Sequence, residues 1–317
     1  MPGLLALVGL LALLPRWGHG EELRPPRAAL PPFPESSLTS RKRQFLEMAA
    51  SKATLPRDSA VLAPTCVRLP TLSDFFPSSA VERGTASVPK IQALLARPAA
   101  RLHEVFEVLK ATRWGRAVLA KFLPRYGFEI KIEHFTDAMR EEERAGGRLA
   151  AALYSPMRRT IYIDRSQPVG FVAPILLHEI VHSLDQDAAR AAEGETALWK
   201  VLAEALDAEI DDAAEKGDKG VDQVTLRDLS PTQISRLGQA RLALAQYRDV
   251  RIYRMERVAY DVYKQVLRDL SALFPAYYGP RLAAGWDQAY GDDALARAEN
   301  LDPATIARYR AGLCRTQ

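Results

Sequence analysis

The sequence predicts an α+β fold that is mostly helical, with a small sheet before residue 165. Between residues 128 and 164, three short segments alternate or concentrate apolar residues as strands do. After residue 165, apolar residues recur at helical spacing almost to the last residue. A chain of 317 residues with 48% hydrophobic and 26% charged side chains can also bury a sizeable core.

The individual elements follow from the same periodicities. Helical spacing favours a short helix over residues 41–53 and a helical segment over 88–123 that is interrupted at Pro98 and at Trp114 and Gly115. The predicted strands are residues 128–135, 149–154 and Thr160–Asp164. Further helices are predicted at 172–186, 195–215 and 237–273, with a final helical region to the end and a solvated connection over 211–228.

The first forty residues indicate export. Residues 4–14 form an apolar run too short to span a bilayer, and the small residues Gly18 and Gly20 precede a cleavage site after residue 20. We therefore expect residues 1–20 to be a signal peptide, and the mature protein to be periplasmic or secreted without a membrane span. A buried N-terminal helix is the alternative. Residues 21–40 are rich in proline and predict a linker, followed by an N-terminal helical region over 41–126.

Composition excludes little beyond nucleic acid. The formal net charge of +4 is spread along the chain, so no basic patch predicts a nucleic-acid partner. Cys66 and Cys314 are the only cysteines, and a disulfide between them and two separate thiols both remain open. Serine-hydrolase and nucleotide-binding motifs such as GxSxG and the P-loop are missing from the sequence.

One sequence motif indicates a metal site. Residues 178–182 read HExxH within an apolar run that favours a helix. His178 and His182 therefore lie one turn apart on one face, where both imidazoles can reach one tetrahedral zinc ion. Glu179 would face water on that ion and accept its proton.

A catalytic zinc needs a third protein ligand. The longer pattern HExxHxxGxxH fails, because Asp185 and Ala188 occupy its glycine and last histidine positions. Glu256 is the carboxylate within an apolar and aromatic stripe of the helix predicted over 237–273, where a metal would offset the cost of burying it. Ala259 would let this helix approach the motif helix closely. The alternative for Glu256 is a buried salt bridge to an arginine.

Glu204 competes with Glu256 for the role of third ligand. It lies closer to His182 along the chain, but its helical neighbours Lys200, Asp207 and Asp211 are typical of a solvated face. We favour Glu256 because burial separates the two candidates.

The two segments together resemble a family. Residues 178–185 read HExxHxxD and residues 256–260 read ExxAY, a combination similar to zincin metallopeptidases of the gluzincin kind, including those related to lethal-factor-like toxins. Over about residues 125–270, the resemblance implies a twisted sheet packed on the active-site helix. It also implies zinc held by His178, His182 and Glu256, with Thr160–Asp164 as the edge strand along which an extended peptide pairs. Residues 287–291 match part of the aspartate-ligand zincin pattern, which offers a second interpretation.

Supporting roles are predicted for three residues near the motifs. Asp185 is placed to accept the free ring N–H of a ligand histidine, or else to face solvent at the end of the helix. Tyr253 and Tyr260 flank Glu256 on its helix face, so either could donate its hydroxyl to an oxyanion or pack in the core. Of the remaining histidines, His134 is predicted to lie in the core and His103 to be exposed.

These patterns predict an exported zinc-dependent metallopeptidase whose catalytic region spans residues 127–317 and whose partner is a peptide or protein substrate. The alternative is a non-catalytic exported binding module that retains a zincin fold. The intact Glu179 argues against this alternative, because a structural zinc site has no use for a base.

Overall fold

The computed structural model describes residues 38–54, 88–122, 129–133, 152–155, 160–283, 295–297 and 299–312. The predicted signal peptide, nearly all of the predicted linker, both cysteines, His134 and residues 287–291 lie outside these ranges. Within them, no helix combines the length and the apolar character needed to cross a membrane.

The predicted α+β class is confirmed, with helices around a small sheet. The strands are β1 (Glu129–Glu133), β2 (Ala152–Ser155) and β3 (Thr160–Asp164). The helices before the sheet are α1 (Ser40–Ser51), α2 (Val88–Gln92), α3 (Leu102–Lys110) and α4 (Arg113–Phe122). Those after it are α5 (Val169–Leu184), α6 (Gln186–Gly217), α7 (Pro231–Leu273), α8 (Pro275–Ala283) and α9 (Pro303–Gly312).

The break between α3 and α4 differs from the prediction at Trp114 and Gly115, which lie inside α4. The break falls at Thr112, whose hydroxyl accepts a hydrogen bond from the Gly115 N–H (2.9 Å) at the start of α4. A Cβ at position 115 would lie 2.1 Å from the Leu109 carbonyl oxygen. Gly115 therefore allows a close approach of two backbones and does not end a helix.

The sheet has the order β1-β3-β2. β1 runs parallel to β3, with Glu129 opposite Thr160, and β2 runs antiparallel to β3, with Ala152 opposite Ile163. The expectation that Thr160–Asp164 is an edge strand is therefore wrong. All five residues of β3 are buried, as is typical of a strand with neighbours on both sides. Among the described strands, β2 and β1 form the edges.

The motif helix α5 is apolar almost all round, as a buried helix should be. It contains Pro174, which has no N–H to donate to the Gly170 carbonyl four residues earlier. The Tyr278 hydroxyl of α8 donates to that carbonyl instead (2.8 Å). Burial raises the pKa of Tyr278, which keeps its hydroxyl protonated as a donor. One side chain from α8 thus compensates for a proline inside the motif helix.

The long helix α7 spans two cores. It begins with a capping box, in which Ser230 and Gln233 satisfy each other's backbone N–H groups, and Pro231 follows the cap. Its first half packs with α1 and α6 around a smaller core that contains Phe45, Trp199 and other apolar residues. Its second half packs with α2 to α5, the sheet and the later helices around the larger core.

The segment predicted as a solvated connection is partly structured. α6 continues to Gly217, and two short 3₁₀ turns follow at Val221–Gln223 and Leu226–Asp228. Ala213, Ala214, Val224 and Leu226 are buried in the smaller core, so the charged composition of this segment concealed four core residues. Lys219 pairs with Asp228 at 2.6 Å across these turns.

Candidate metal centre

The two motif histidines lie near the end of α5, one helical turn apart. Their Nε2 atoms are 2.9 Å from each other, and the ring planes are perpendicular. Both rings belong to a helix whose other faces are held by the larger core, because Leu176, Leu177 and Ile180 are fully buried around them. The direction of the histidines is thus set by the packing of α5.

Glu256 reaches the same point from α7. Its Oε2 lies 3.2 Å from His178 Nε2, and its Oε1 lies 3.3 Å from His182 Nε2. Among the described residues, these three are the group whose ligand atoms lie close enough together to hold a metal ion. The predicted convergence of His178, His182 and Glu256 is confirmed. Ala259 is fully buried one turn further along α7.

The three residues offer one ligand atom each, close enough together to hold one metal ion. Ligands about 2.0 to 2.1 Å from a tetrahedral zinc ion are separated by about 3.3 Å along each edge of the tetrahedron. The two Nε2 atoms are 2.9 Å apart, and each lies 3.2 to 3.3 Å from a different oxygen of the Glu256 carboxylate, so each separation is comparable to that edge. Two imidazoles and one carboxylate are also a donor set that suits zinc.

The charges of the three residues are strongly coupled. Burial alone would raise the pKa of Glu256, but the two histidines outweigh burial and hold it well below its usual range. For His182, burial would lower the pKa, whereas the Glu256 carboxylate raises it to about 9, helped by the charges of Glu179 and Asp185. In the metal-free protein a proton on His182 therefore supplies positive charge beside Glu256.

Glu179 lies beside the histidines and contacts the sheet. Its Oε2 accepts a hydrogen bond from the backbone N–H of Tyr154 on β2, at 2.9 Å. Its side chain is half-buried. The carboxylate that sequence reasoning assigned as a base therefore has its orientation fixed by the neighbouring strand.

Asp185 ends α5 and precedes α6 directly. It is buried, and its backbone N–H donates to the Val181 carbonyl as the helix cap. The Nδ1 atom of His182 is buried and has no hydrogen-bond partner among the described residues. Asp185 was predicted to accept the free ring N–H of a ligand histidine. His182 Nδ1 does not make this hydrogen bond, and Asp185 acts on His182 through its charge.

The two candidate tyrosines have different surroundings. The ring of Tyr260 lies against that of His178, with centroids 4.4 Å apart. The ring of Tyr253 is fully buried and makes an edge contact with Tyr309 of α9, with centroids 6.0 Å apart. Of the two, the structure brings Tyr260 to the histidine cluster.

Two other predicted residues lie on the surface. Glu204 is exposed on α6 and pairs with Lys200 one turn away, at 3.9 Å, so it is not part of the histidine cluster. His103 is exposed, as predicted. Sequence reasoning missed the Tyr154 amide, because a backbone group carries no residue-type signal.

Comparisons of the chain with known protein families, with curated proteins and with solved structures gave no match.

Proposed function

We propose that this protein is a zinc-dependent hydrolase, and specifically a zincin-like metallopeptidase that acts outside the cytoplasm. The observation that carries the proposal is the convergence of His178, His182 and Glu256, whose ligand atoms all lie within 4.8 Å of one another. Two helices from distant parts of the sequence bring these atoms together in a buried position. A bound zinc ion at this site would polarise a carbonyl group and lower the pKa of a water molecule.

The protein's own residues supply the remaining groups. Glu179 accepts a proton from the attacking water and later delivers it to the leaving amine. The Tyr260 hydroxyl is the proposed donor to the oxyanion, since its ring lies against His178. Asp185 adds negative charge beside His182 and favours a cation at the site.

The substrate that fits best is an extended peptide. β2 is an edge of the described sheet, and its Tyr154 amide lies beside Glu179. A peptide that adds to this edge as a further strand brings its backbone next to the base. Strand addition is thus assigned to β2, in place of β3.

A non-catalytic binding module is the second candidate. A structural zinc site is closed by four protein ligands, whereas the described residues provide three ligands and an adjacent carboxylate that could act as a base. The number of protein ligands therefore favours an enzyme over a binding module.

The test combines metal content with turnover. We expect the wild-type protein to hold about one zinc ion per chain and to cleave a mixture of unstructured peptides. Glu179→Gln should retain the zinc and lose more than about 99% of turnover, because the amide cannot accept the water proton. Full activity in Glu179→Gln would refute the assigned base. A zinc-loaded wild type that cleaves none of the peptides would favour the binding module.

A further inference from the structure

Strand alternation determines where the backbone groups of Tyr154 point. In an antiparallel pair, successive residues direct N–H and C=O alternately toward the partner strand and away from it. Tyr154 lies opposite Ile161 of β3, yet its N–H donates to Glu179. Tyr154 therefore directs its backbone away from β3. By the same alternation, Ala152, two residues earlier, directs its backbone to the same side.

This side of β2 is where a further strand would pair. Within the described part of the chain, β2 has β3 as its one strand neighbour. A peptide that adds to this side of β2 needs backbone donors and acceptors that point away from β3, and the Tyr154 N–H is such a donor. That N–H is occupied by the carboxylate of the proposed base, 2.9 Å away. An incoming peptide carbonyl and Glu179 therefore require the same hydrogen atom.

We propose that the Tyr154 N–H serves two acceptors in turn, namely the Glu179 carboxylate in the resting protein and a backbone carbonyl of an extended peptide in the complex. Pairing of the peptide on β2 then releases Glu179 toward the metal site. A ligand without a peptide backbone leaves Glu179 on the strand. The base is thus freed by substrates long enough to pair with β2, which favours extended peptides over single amides. This inference rests on the proposed peptidase function.

Two inactive variants of Glu179 separate the two acceptors. In zinc-loaded Glu179→Gln, the side-chain amide oxygen still accepts the Tyr154 N–H, whereas Glu179→Ala leaves that N–H available to a ligand. The probe is a six-residue peptide with a C-terminal hydroxamate, which binds zinc and leaves its backbone to pair. We expect the Ala variant to bind this probe about two- to tenfold more tightly than the Gln variant, as for one hydrogen bond. Acetohydroxamate has no backbone and should bind both variants equally.

A second pair of variants shows whether the Tyr154 N–H causes the difference. Tyr154→Pro removes the N–H on the outward side of an edge strand, a position where proline is tolerated. Tyr154→Ala removes the side chain and keeps the N–H, so it is the matched control. In a double-mutant cycle, the difference in probe affinity between Glu179→Ala and Glu179→Gln should persist with alanine at position 154. It should disappear with proline at that position.

The outcomes separate this inference from the proposed function. If the peptide hydroxamate binds more tightly than acetohydroxamate but equally to the Ala and Gln variants, the exchange is overturned and peptide recognition stands. If the peptide backbone adds no affinity in any variant, both proposals fall. Should Tyr154→Pro not fold, the comparison of Glu179→Ala with Glu179→Gln decides the question on its own.

Discussion

Two buried carboxylates, Glu195 on α6 and Glu256 on α7, differ in the group that neutralises their charge. Glu195 of α6 accepts a hydrogen bond from the Arg251 guanidinium at 2.6 Å, and both side chains are buried. Glu256, five residues further along α7 than Arg251, faces two imidazoles instead. A guanidinium keeps its proton permanently, whereas an imidazole can exchange its proton for a metal ion.

Burial alone does not identify a candidate metal ligand. Glu195 is 2% exposed and Glu256 is 9% exposed, so ranking by burial would place Glu195 ahead of the carboxylate that faces the two histidines. The chemical nature of the partner separates them. One pair connects α6 to α7 as a structural element, and the other cluster holds the candidate centre.

Replacing each of these two carboxylates by alanine should have different consequences, namely loss of metal for one and loss of stability for the other. Glu256→Ala should reduce bound zinc from about one ion per chain to near zero, because two histidines alone hold the metal weakly. Glu195→Ala should keep the zinc and lower the free energy of unfolding by about 3 to 5 kcal/mol, since Arg251 is left buried without a counter-charge. Metal analysis after dialysis and chemical denaturation measure the two quantities. Retention of zinc in Glu256→Ala would contradict the ligand assignment.

A matched control replaces the structural pair as a whole. In the double variant Glu195→Leu and Arg251→Met, no charge is left buried, so most of the stability lost in Glu195→Ala should return. Zinc content should be unchanged. A loss of zinc in this variant would mean that the Glu195–Arg251 pair also positions the centre.

The two tyrosines of α7 sharpen the contrast between chemistry and packing. Tyr260→Phe should lower kcat roughly a hundredfold while leaving zinc content and KM nearly unchanged, as for the loss of one oxyanion donor. Tyr253→Phe should leave kcat unaltered, because the ring of Tyr253 packs against Tyr309. Steady-state kinetics on a cleaved peptide measure both variants. Equal losses in the two variants would assign these hydroxyls to structure.

The cluster around Glu256 and the Glu195–Arg251 pair should also differ in how their effects depend on pH. The pKa of His182 is raised from 6.5 to about 9, so its stabilisation of the metal-free protein is complete below about pH 6.5 and is lost as the pH rises through 9. Zinc must displace this proton, so zinc affinity should increase about tenfold per pH unit between pH 7 and 9. Competition with a chelator at several pH values measures this zinc affinity. The stability difference between wild type and Glu195→Ala should stay constant over the same range. A pH-independent zinc affinity would contradict a protonated His182.

Much of the fold and the three-residue cluster were predictable from sequence. The HExxH spacing determines which two side chains share a helix face, and the apolar stripe around Glu256 indicates that its carboxylate is buried. The strand Thr160–Asp164 was predicted with its observed bounds. These features depend on local periodicity, which the sequence records directly.

Other features depend on non-local packing. Which strand lies at the edge depends on the order β1-β3-β2, and no single strand encodes that order. The Tyr154 amide contacts Glu179 only because α5 lies against β2. One missed contact did have a signal, since Pro174 necessarily deprives the Gly170 carbonyl of its helical donor. A polar side chain from elsewhere was therefore to be expected at that carbonyl.

The smallest expected effect concerns a buried polar group with a neutral partner. Tyr278→Phe removes the donor to the Gly170 carbonyl and should lower the free energy of unfolding by about 1 to 2 kcal/mol, because that carbonyl stays buried. Tyr277→Phe is the matched control, since the Tyr277 hydroxyl is buried without a described hydrogen-bond partner and its removal should cost nothing. Chemical denaturation of both variants measures the difference. Zinc content should be unchanged in both, and equal destabilisation would show that the Tyr278 hydrogen bond does not stabilise α5 around its proline.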